Sequence, residues 1–198
     1  MNSLFEKTAL TDDEIIKFVN KFGGSKKVQD FLQKESIEPP LTNLMLKQLS
    51  GVDELVIGTT TGKRTLAKAK NTFRSGIDSD FKNWGTDQAG IAKAETKVSV
   101  YELVRHARFA EMFNSLSTDL DKLCLTQDQI IEFCTNHPSW LRQDGYGTFF
   151  LFKVKDEFFV CSVHVRDGGL CVGVDRLADG CVWDADGAHR VVVPQLNP

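Results

Sequence analysis

Two Cys-x-x-His pairs are the residues of this sequence that come closest to a metal-binding pattern. Cys134 precedes His137, and Cys161 precedes His164, by three positions; four such side chains would form the tetrahedral Cys2His2 set that binds zinc. The second pair, however, lies in a segment that predicts a β-strand, where side chains three positions apart point to opposite faces. We therefore predict no metal and no cofactor, with buried thiols and surface histidines at these positions.

A glycine-rich turn at 58–64, GTTTGKR, lies between a predicted strand and a predicted helix, which is where a phosphate-binding P-loop would lie. A P-loop needs one more residue between its glycines, and a Ser or Thr after the lysine to bind magnesium. Arg64 occupies that hydroxyl position. The turn therefore predicts a plain strand–turn–helix connection that binds no nucleotide.

The segment DADG at 184–187 resembles the start of a calcium-binding loop. It lacks the third aspartate position and the distant bidentate glutamate that calcium loops use, so it predicts a hairpin turn. The sequence also holds no serine nucleophile elbow, and no cysteine or serine has a partner base that its spacing identifies. No catalytic residue is therefore assigned.

Five aromatic and arginine residues lie near predicted loops of the C-terminal third: Trp140, Arg142, Tyr146, Trp183 and Arg190. Trp, Tyr and Arg are the residue types that most often carry the binding energy of protein–protein interfaces. We predict that these residues form a site for another protein. The alternative, which the sequence supports equally, is that Trp140 and Trp183 anchor the core of the predicted sheet.

The basic segment 63–74 has five cations in twelve residues and no acid between them. Such a density would release several counterions from a nucleic acid, so nucleic-acid binding is one hypothesis. Residues 109–198, however, carry thirteen acids against seven bases. Cations four positions apart on a helix also repel one another unless acidic side chains lie close to them. We predict acidic partners within the chain, or a solvated surface, for the cations Lys63, Arg64, Lys68, Lys70 and Arg74.

The 198 residues are 41% hydrophobic and 26% charged, with a net charge of −3, which is the composition of a globular protein. The first residues have neither a basic region nor a long apolar run, and no later stretch reaches the roughly 18 uncharged apolar residues of a membrane helix. We therefore expect a cytoplasmic protein with no membrane partner. The five cysteines are odd in number, so we expect reduced and mostly buried thiols.

The N-terminal part predicts a small helical unit at 1–50. A capping box of Thr11 and Glu14 opens the first helix, a second helix follows a Gly-Gly pair, and a third is predicted at 41–49 after two prolines. Apolar residues change their period after this point, which predicts a separate domain.

Residues 51–198 predict an α+β domain whose first half mixes strands and helices. The predicted strands are 54–58 and 97–103, the predicted helices are 64–73 and two that begin near 109 and 126, and 75–90 predict a loop anchored by Phe81 and Trp84. The second half alternates with a period of two.

Five strands joined by short turns are predicted in that second half, at 148–154, 157–166, 170–177, 181–183 and 190–193. Short connections force antiparallel neighbours, because a parallel crossover needs a dozen or more residues. The predicted fold class is therefore α+β, with an N-terminal helical unit, a mixed middle segment and a C-terminal antiparallel β-meander packed on helices.

Four phrases of the sequence, taken together, carry a resemblance to other proteins. They are DFKNWG at 80–85, LCLTQDQIIEFC at 123–134, HPSWLRQDGYGTFFLFK at 137–153 and RVVVPQL at 190–196. The stretch from about 51 to 198 resembles a family of hypothetical proteins from candidate-phylum bacterial genomes, for which no activity is known. The resemblance implies a shared fold and a bacterial cytoplasmic setting, and it implies no site.

These features predict a non-catalytic protein-binding or scaffold protein. Two alternatives stay open: a nucleic-acid-binding protein that uses the basic segment, and an enzyme with a dispersed site in the C-terminal sheet. A pocket with a converging carboxylate and histidine would favour the enzyme, and a continuous basic face would favour the nucleic acid.

Overall fold

The computed structural model describes residues 45–51 and 54–196, so the helices predicted before residue 45 and their capping box lie outside the described residues. The described chain holds three α-helices and one mixed sheet of eight strands, which confirms the α+β class. The helices are α1 (Asp80–Asn83), α2 (Phe109–Leu116) and α3 (Gln127–Asn136). The strands are β1 (Leu46–Gln48), β2 (Leu55–Ile57), β3 (Gly76–Ile77), β4 (Thr96–Leu103), β5 (Gly147–Val154), β6 (Glu157–Arg166), β7 (Gly169–Arg176) and β8 (Arg190–Pro194).

The C-terminal strands are only in part the predicted meander. β5, β6 and β7 are consecutive antiparallel neighbours, but β8 lies between β4 and β5, antiparallel to the first and parallel to the second. The prediction of a purely antiparallel meander is therefore wrong, and the sheet order is β1-β4-β8-β5-β6-β7-β3, with β2 also paired to β4. The strand predicted at 181–183 is reduced to an isolated bridge at Trp183, so the connection from β7 to β8 spans 177–189, which is long enough for a crossover to a parallel position.

Both faces of the sheet are covered, and β5 shows the alternation between them. Phe150 and Phe152 belong to the core that contains residues of α3, whereas Phe149 and Leu151 belong to the core that contains residues of α2. We call these the α3 face and the α2 face. Burial on both faces explains why the middle of β5 is an uninterrupted apolar run instead of the strict alternation of a half-exposed strand.

The described end of the helix predicted at 41–49 is the strand β1. It pairs antiparallel with the end of β4, and Leu46 is buried in the core on the α2 face while Lys47 and Gln48 are exposed. Tertiary pairing overrides the helical propensity of this segment, so the helix prediction is wrong over 46–48. The division of the chain near residue 50 stays a prediction.

The basic helix predicted at 64–73 is also wrong. A single 3₁₀ turn covers Leu66–Lys68, and Thr65 before it is extended. The backbone N–H of Leu66 donates to the side-chain oxygen of Gln127 at 2.9 Å. This contact links the segment to the start of α3. The Leu66 N–H group is thus bonded to a side chain of another element and not within a helix.

The other elements of the middle segment follow their patterns more closely. α3 begins at the predicted capping box, in which the Thr126 hydroxyl accepts from the Gln129 N–H and the Gln129 side chain accepts from the Thr126 N–H. β4 and α2 are confirmed. The loop predicted at 75–90 contains β3 and α1; Phe81 is buried as predicted, whereas Trp84 is 38% exposed and does not anchor the core.

Candidate functional site

The five residues predicted to form a protein-binding site lie around one end of the sheet. β4 ends there, and β5 and β8 begin there, because β8 is antiparallel to β4 and parallel to β5. Thr148 of β5 is paired with Arg190, and its hydroxyl accepts a hydrogen bond from the backbone N–H of Arg142 at 2.7 Å. The sheet thus brings the loops before β5 and β8 together.

Arg142 and Tyr146 form a stacked pair at this end. The guanidinium carbon of Arg142 lies 5.0 Å from the centroid of the Tyr146 ring, within the range of a cation–π interaction. Arg142 Nε donates to the carbonyl oxygen of Gly187 at 2.9 Å, and its Nη1 donates to Asp144 at 3.3 Å. Tyr146 remains 42% exposed, so the pair presents an aromatic ring beside a cation that the loop before β8 holds in place.

Arg190 ties the turn at 138–140 to the start of β8. Its Nη1 donates to the carbonyl oxygens of Ser139 at 3.4 Å and Leu141 at 3.3 Å, whereas its buried Nε has no partner among the described residues. Burial lowers the pKa of Arg190, and the positive charge of Arg142 lowers it further. Arg190 therefore holds the turn at 138–140 beside the start of β8, near the guanidinium group of Arg142.

Trp183 packs within an aromatic cluster on the α2 face. Its ring centroid lies 4.6 Å from that of Phe149, 4.9 Å from that of His189 and 5.3 Å from that of Phe109. Trp140 is partly buried against the core on the α3 face. Both tryptophans thus contribute to the cores, which is the second of the two alternatives that the sequence left open.

His189 belongs to this cluster, and sequence reasoning did not select it. Its side chain is buried, and its Nδ1 accepts a hydrogen bond from the backbone N–H of Gly147 at 3.0 Å. The neutral ring therefore carries its proton on Nε2, and burial lowers the pKa of His189. The only signal in the sequence was the position of a histidine immediately before an apolar strand.

Three large apolar side chains are exposed near this end of the sheet. Val104 follows β4, Tyr146 precedes β5, and Val182 adjoins Trp183, which itself bridges to the segment after β4. Only β8 separates β4 from β5, so the ends of those two strands lie about 10 Å apart. We call Val104, Arg142, Tyr146 and Val182 the sheet-end surface.

Two cations of the basic segment have acidic partners. Arg64 forms ion pairs with Asp128 and Glu132 of α3, and Lys68 Nζ lies 3.5 Å from the Asp87 carboxylate. Burial acts to raise the pKa of Asp128, but the hydrogen bond and the charge of Arg64 outweigh it, so that this pKa is lowered. Arg64 and Lys68 therefore have acidic partners within the chain, as the sequence predicts.

The other three cations of the segment are placed differently. Lys70 and Arg74 line a groove together with Lys82, which sequence reasoning did not select. Lys63 is exposed. The five predicted nucleic-acid contacts are therefore divided among ion pairs, a groove and the solvent.

The glycine-rich turn at 58–64 is packed against the segment at 90–92. Gly62 has a φ of 75°, and its carbonyl oxygen accepts a hydrogen bond from the Gly90 N–H at 2.9 Å. The Thr61 hydroxyl donates to Asp128 at 3.1 Å. Contacts within the chain thus engage the Thr61 hydroxyl and the Gly62 carbonyl of this turn.

The two Cys-x-x-His pairs do not share one site. Cys161 is buried in the core on the α3 face, whereas His164 lines a groove on the other face, as the spacing in a strand predicts. Within 45–51 and 54–196, no group of three potential ligands could hold a metal ion. All five cysteines are free, but only Cys134 and Cys161 are buried and Cys181 is exposed, so the prediction of mostly buried thiols is wrong.

A groove of about 460 Å³ lies over β6 and β7, and we call it the β6–β7 groove. Ser162 Oγ donates to Asp175 Oδ2 at 2.8 Å. His164 Nδ1 donates to the carbonyl oxygen of Gly145 at 3.0 Å, which leaves Nε2 of the neutral ring with a free lone pair. Burial raises the pKa of Asp175, and nearby carboxylates, including that of Asp78, add to the effect. Sequence reasoning missed this groove; its signal was a pair of polar residues at alternate positions of an apolar strand.

Comparison of the chain with protein-family models, with curated proteins and with solved structures gives no significant match. The resemblance to hypothetical proteins of candidate-phylum bacteria therefore stays a prediction. No helix in the described part of the chain combines the length and the apolar character needed to cross a membrane.

Proposed function

We propose that this chain is a non-catalytic binding protein whose sheet-end surface contacts another protein. The observation that supports the proposal most directly is the Arg142–Tyr146 pair, a guanidinium stacked on an exposed ring at the end of the sheet where Val104 and Val182 are also exposed. Aromatic and arginine side chains are the usual hot spots of protein interfaces. Exposed apolar side chains with polar neighbours at one end of a fold are a feature of many interaction sites.

Contacts beneath the sheet-end surface order its residues, which favours binding of a partner without rearrangement. The backbone of Arg142 is bonded to Thr148, and its side chain is bonded to Gly187. Trp183, beside Val182, packs on Phe149. Because these groups are already ordered, they would lose little further side-chain entropy when a partner binds. A smaller entropy cost strengthens binding at a given interface area.

Photo-crosslinking in the organism that encodes the chain tests this proposal. A photoreactive phenylalanine analogue replaces Tyr146; in a matched control it replaces Trp84, another exposed ring, which lies 5.4 Å from the guanidinium of Arg176. We expect position 146, and not position 84, to give one discrete crosslinked protein that disappears on Arg142→Ala. The same adduct from both positions, or none from position 146, would contradict the proposal.

The β6–β7 groove supports a second candidate function, that of an enzyme. The carboxylates of Asp78 and Asp175 line it together with His164. A carboxyl group of raised pKa can donate a proton while an imidazole nitrogen accepts one, so the two groups could act as general acid and general base in a hydrolysis. Catalysis in this groove is tested by the rates at which the wild type and His164→Gln hydrolyse a panel of p-nitrophenyl esters. A catalytic groove requires that the wild type turn over an ester and that the variant lose this activity; no turnover, or equal rates from both proteins, excludes a role for this groove.

Nucleic-acid binding receives less support, because the ion pairs of Arg64 and Lys68 engage two of the five cations on which it depends. Binding of labelled single- and double-stranded oligonucleotides at about 50 and 200 mM salt is the direct measurement. We expect no salt-sensitive binding.

A further inference from the structure

A second concave surface, which we call the cation groove, lies between the segment after the 3₁₀ turn, the edge strand β3 and α1. Its volume is about 420 Å³, and its charged wall consists of Lys70, Arg74 and Lys82. Its apolar wall consists of Ala67, Phe73 and Ile77. Three positive charges therefore surround one partly apolar hollow.

The three cations of the groove differ from Arg64 and Lys68 in their partners. In the described part of the chain, no carboxylate forms an ion pair with Lys70, Arg74 or Lys82. Arg74 Nε donates to the carbonyl oxygen of Asn71 at 3.2 Å, which leaves its two terminal nitrogens for other acceptors. The contrast with Arg64 and Lys68, which have acidic partners, lies within a single segment of the chain.

Among the described residues, Asp78 is the one acid on the wall of the cation groove, and it also lines the β6–β7 groove. Asp78 Oδ1 accepts a hydrogen bond from the Asp80 N–H at 2.9 Å. Asp78 Oδ2 lies beside Gly173 of β7, 3.7 Å from where a Cβ atom of that glycine would stand. The wall of the cation groove therefore carries three cations and one carboxylate, which leaves an excess of positive charge. A bound anion would relieve the repulsion among the three cations.

We propose that the cation groove binds a small molecule that carries two or more phosphate charges. The terminal nitrogens of Arg74 can donate two parallel hydrogen bonds to phosphate oxygens, while Lys70 and Lys82 supply point charges. Ser79 lines the same groove, and its hydroxyl can donate to a further oxygen. The apolar wall accommodates a small organic group attached to the phosphate.

A small molecule fits these residues better than a nucleic acid does. A nucleic acid needs a track of cations that follows several phosphates in succession. The neighbouring cations Arg64 and Lys68 are in ion pairs, so they do not extend the charge of the groove into such a track. The site is also separate from the sheet-end surface, and its residues play no part in the proposed protein binding.

Calorimetric titration of the full chain with pyrophosphate at about 50 mM salt tests this site. We expect one binding site, with affinity at least about tenfold lower after Arg74→Gln or Lys82→Gln, because each change removes a charge-assisted contact. Orthophosphate should bind at least about tenfold more weakly than pyrophosphate. Lys63→Gln is the matched control, since it removes the same charge from the same segment outside the groove and should leave the affinity unchanged.

Two further measurements make the outcome decisive. Thermal unfolding should be the same for all variants, because the substituted side chains are exposed, and pyrophosphate should shift the amide resonances of Gly76 and Ser79 in the wild type. Absence of binding at about 10 mM pyrophosphate, or equal loss in Lys63→Gln, would overturn the proposal. So would tighter binding of a single-stranded oligonucleotide that Lys63→Gln and Arg74→Gln weaken alike, because that result assigns the cations to a nucleic acid.

Discussion

Asp128 carries a negative charge on a side chain that is only 1% exposed. Its carboxylate oxygens accept hydrogen bonds from Arg64 and from the Thr61 hydroxyl. A buried carboxylate without such donors would be costly enough to take up a proton. Asp128 thereby joins α3 to the glycine-rich turn, two parts of the chain that are distant in sequence.

Replacing Asp128 with alanine should lower the free energy of unfolding by about 1–3 kcal/mol at neutral pH. The cost stays moderate because the Arg64 side chain is 45% exposed, so that water can solvate the cation that is left behind. Urea denaturation measures the change. Asp119→Ala, which removes an acid from an exposed ion pair with Lys122, is the control and should cost less than about 1 kcal/mol. Equal effects of the two substitutions would mean that burial adds nothing at Asp128.

The same contrast between wild type and Asp128→Ala should depend on pH. The pKa of Asp128 is lowered in the folded chain, so its stabilising contribution is present above the ordinary aspartate pKa of about 3.9 and is lost as the pH falls through the lower folded value. Denaturation series from neutral pH down to about pH 3 should therefore show the two proteins converging in acid. A constant difference in stability across that range would contradict the assignment.

His189 shows the corresponding linkage for a base. Burial lowers its pKa, so below the ordinary histidine pKa of about 6.5 the unfolded chain binds a proton that the folded chain does not. Wild-type stability should fall as the pH drops from about 7.5 to about 5.5, and His189→Gln should show a smaller fall over the same interval. Denaturation at matched pH values measures both slopes. Parallel slopes would show that another group titrates in this range.

At the scale of elements, the glycine-rich turn depends on one backbone conformation. Gly62 has a φ of 75°, and a Cβ atom there would collide with the carbonyl group of Ile91. Gly62→Ala should therefore lower the free energy of unfolding by more than about 1 kcal/mol. Gly58→Ala, four residues earlier, meets open space and should change stability by less than about 0.5 kcal/mol. Comparable losses from both would show that the collision is relieved without cost.

Elements with local signals were predictable, and elements defined by distant partners were not. The capping box at Thr126 fixes the start of α3 within the residues that form it, and the short turns fix β5, β6 and β7 as neighbours. The position of β8 depends on the path of residues 177–189 across the sheet, which no local pattern records. β1 depends likewise on pairing with β4, about fifty residues away.

The residues of the candidate site differ in the same way, because some have a local signal in the sequence and others depend on distant parts of the chain. Residue type alone selected Arg142 and Tyr146, and the fold places them in contact. Whether Trp183 is core or surface depends on the crossing segment that lays it on Phe149. Lys82 could not be grouped with Lys70 from the sequence, because a helix and an edge strand bring them to one groove.

At the scale of the whole molecule, β1 makes the sheet depend on residues before the predicted boundary at residue 50. Leu46 is 3% exposed and is paired with Leu103. A fragment of residues 51–198 should therefore be less stable than one of residues 45–198 by at least about 2 kcal/mol, the scale of one buried leucine. Melting of both fragments under the same conditions measures the difference. Identical melting curves would mean that β1 adds nothing to the stability of the sheet.

The position of β8 also sets an order of events during synthesis. In the described sheet, β1, β2 and β4 on one side and β5, β6, β7 and β3 on the other are joined only through β8, yet β8 is the last of these strands to be made. Until residues 190–194 have left the ribosome, β4 and β5 each have an unpaired edge, along which separate chains readily associate. A chain that stops before β8 therefore leaves these edges of β4 and β5 without a partner strand.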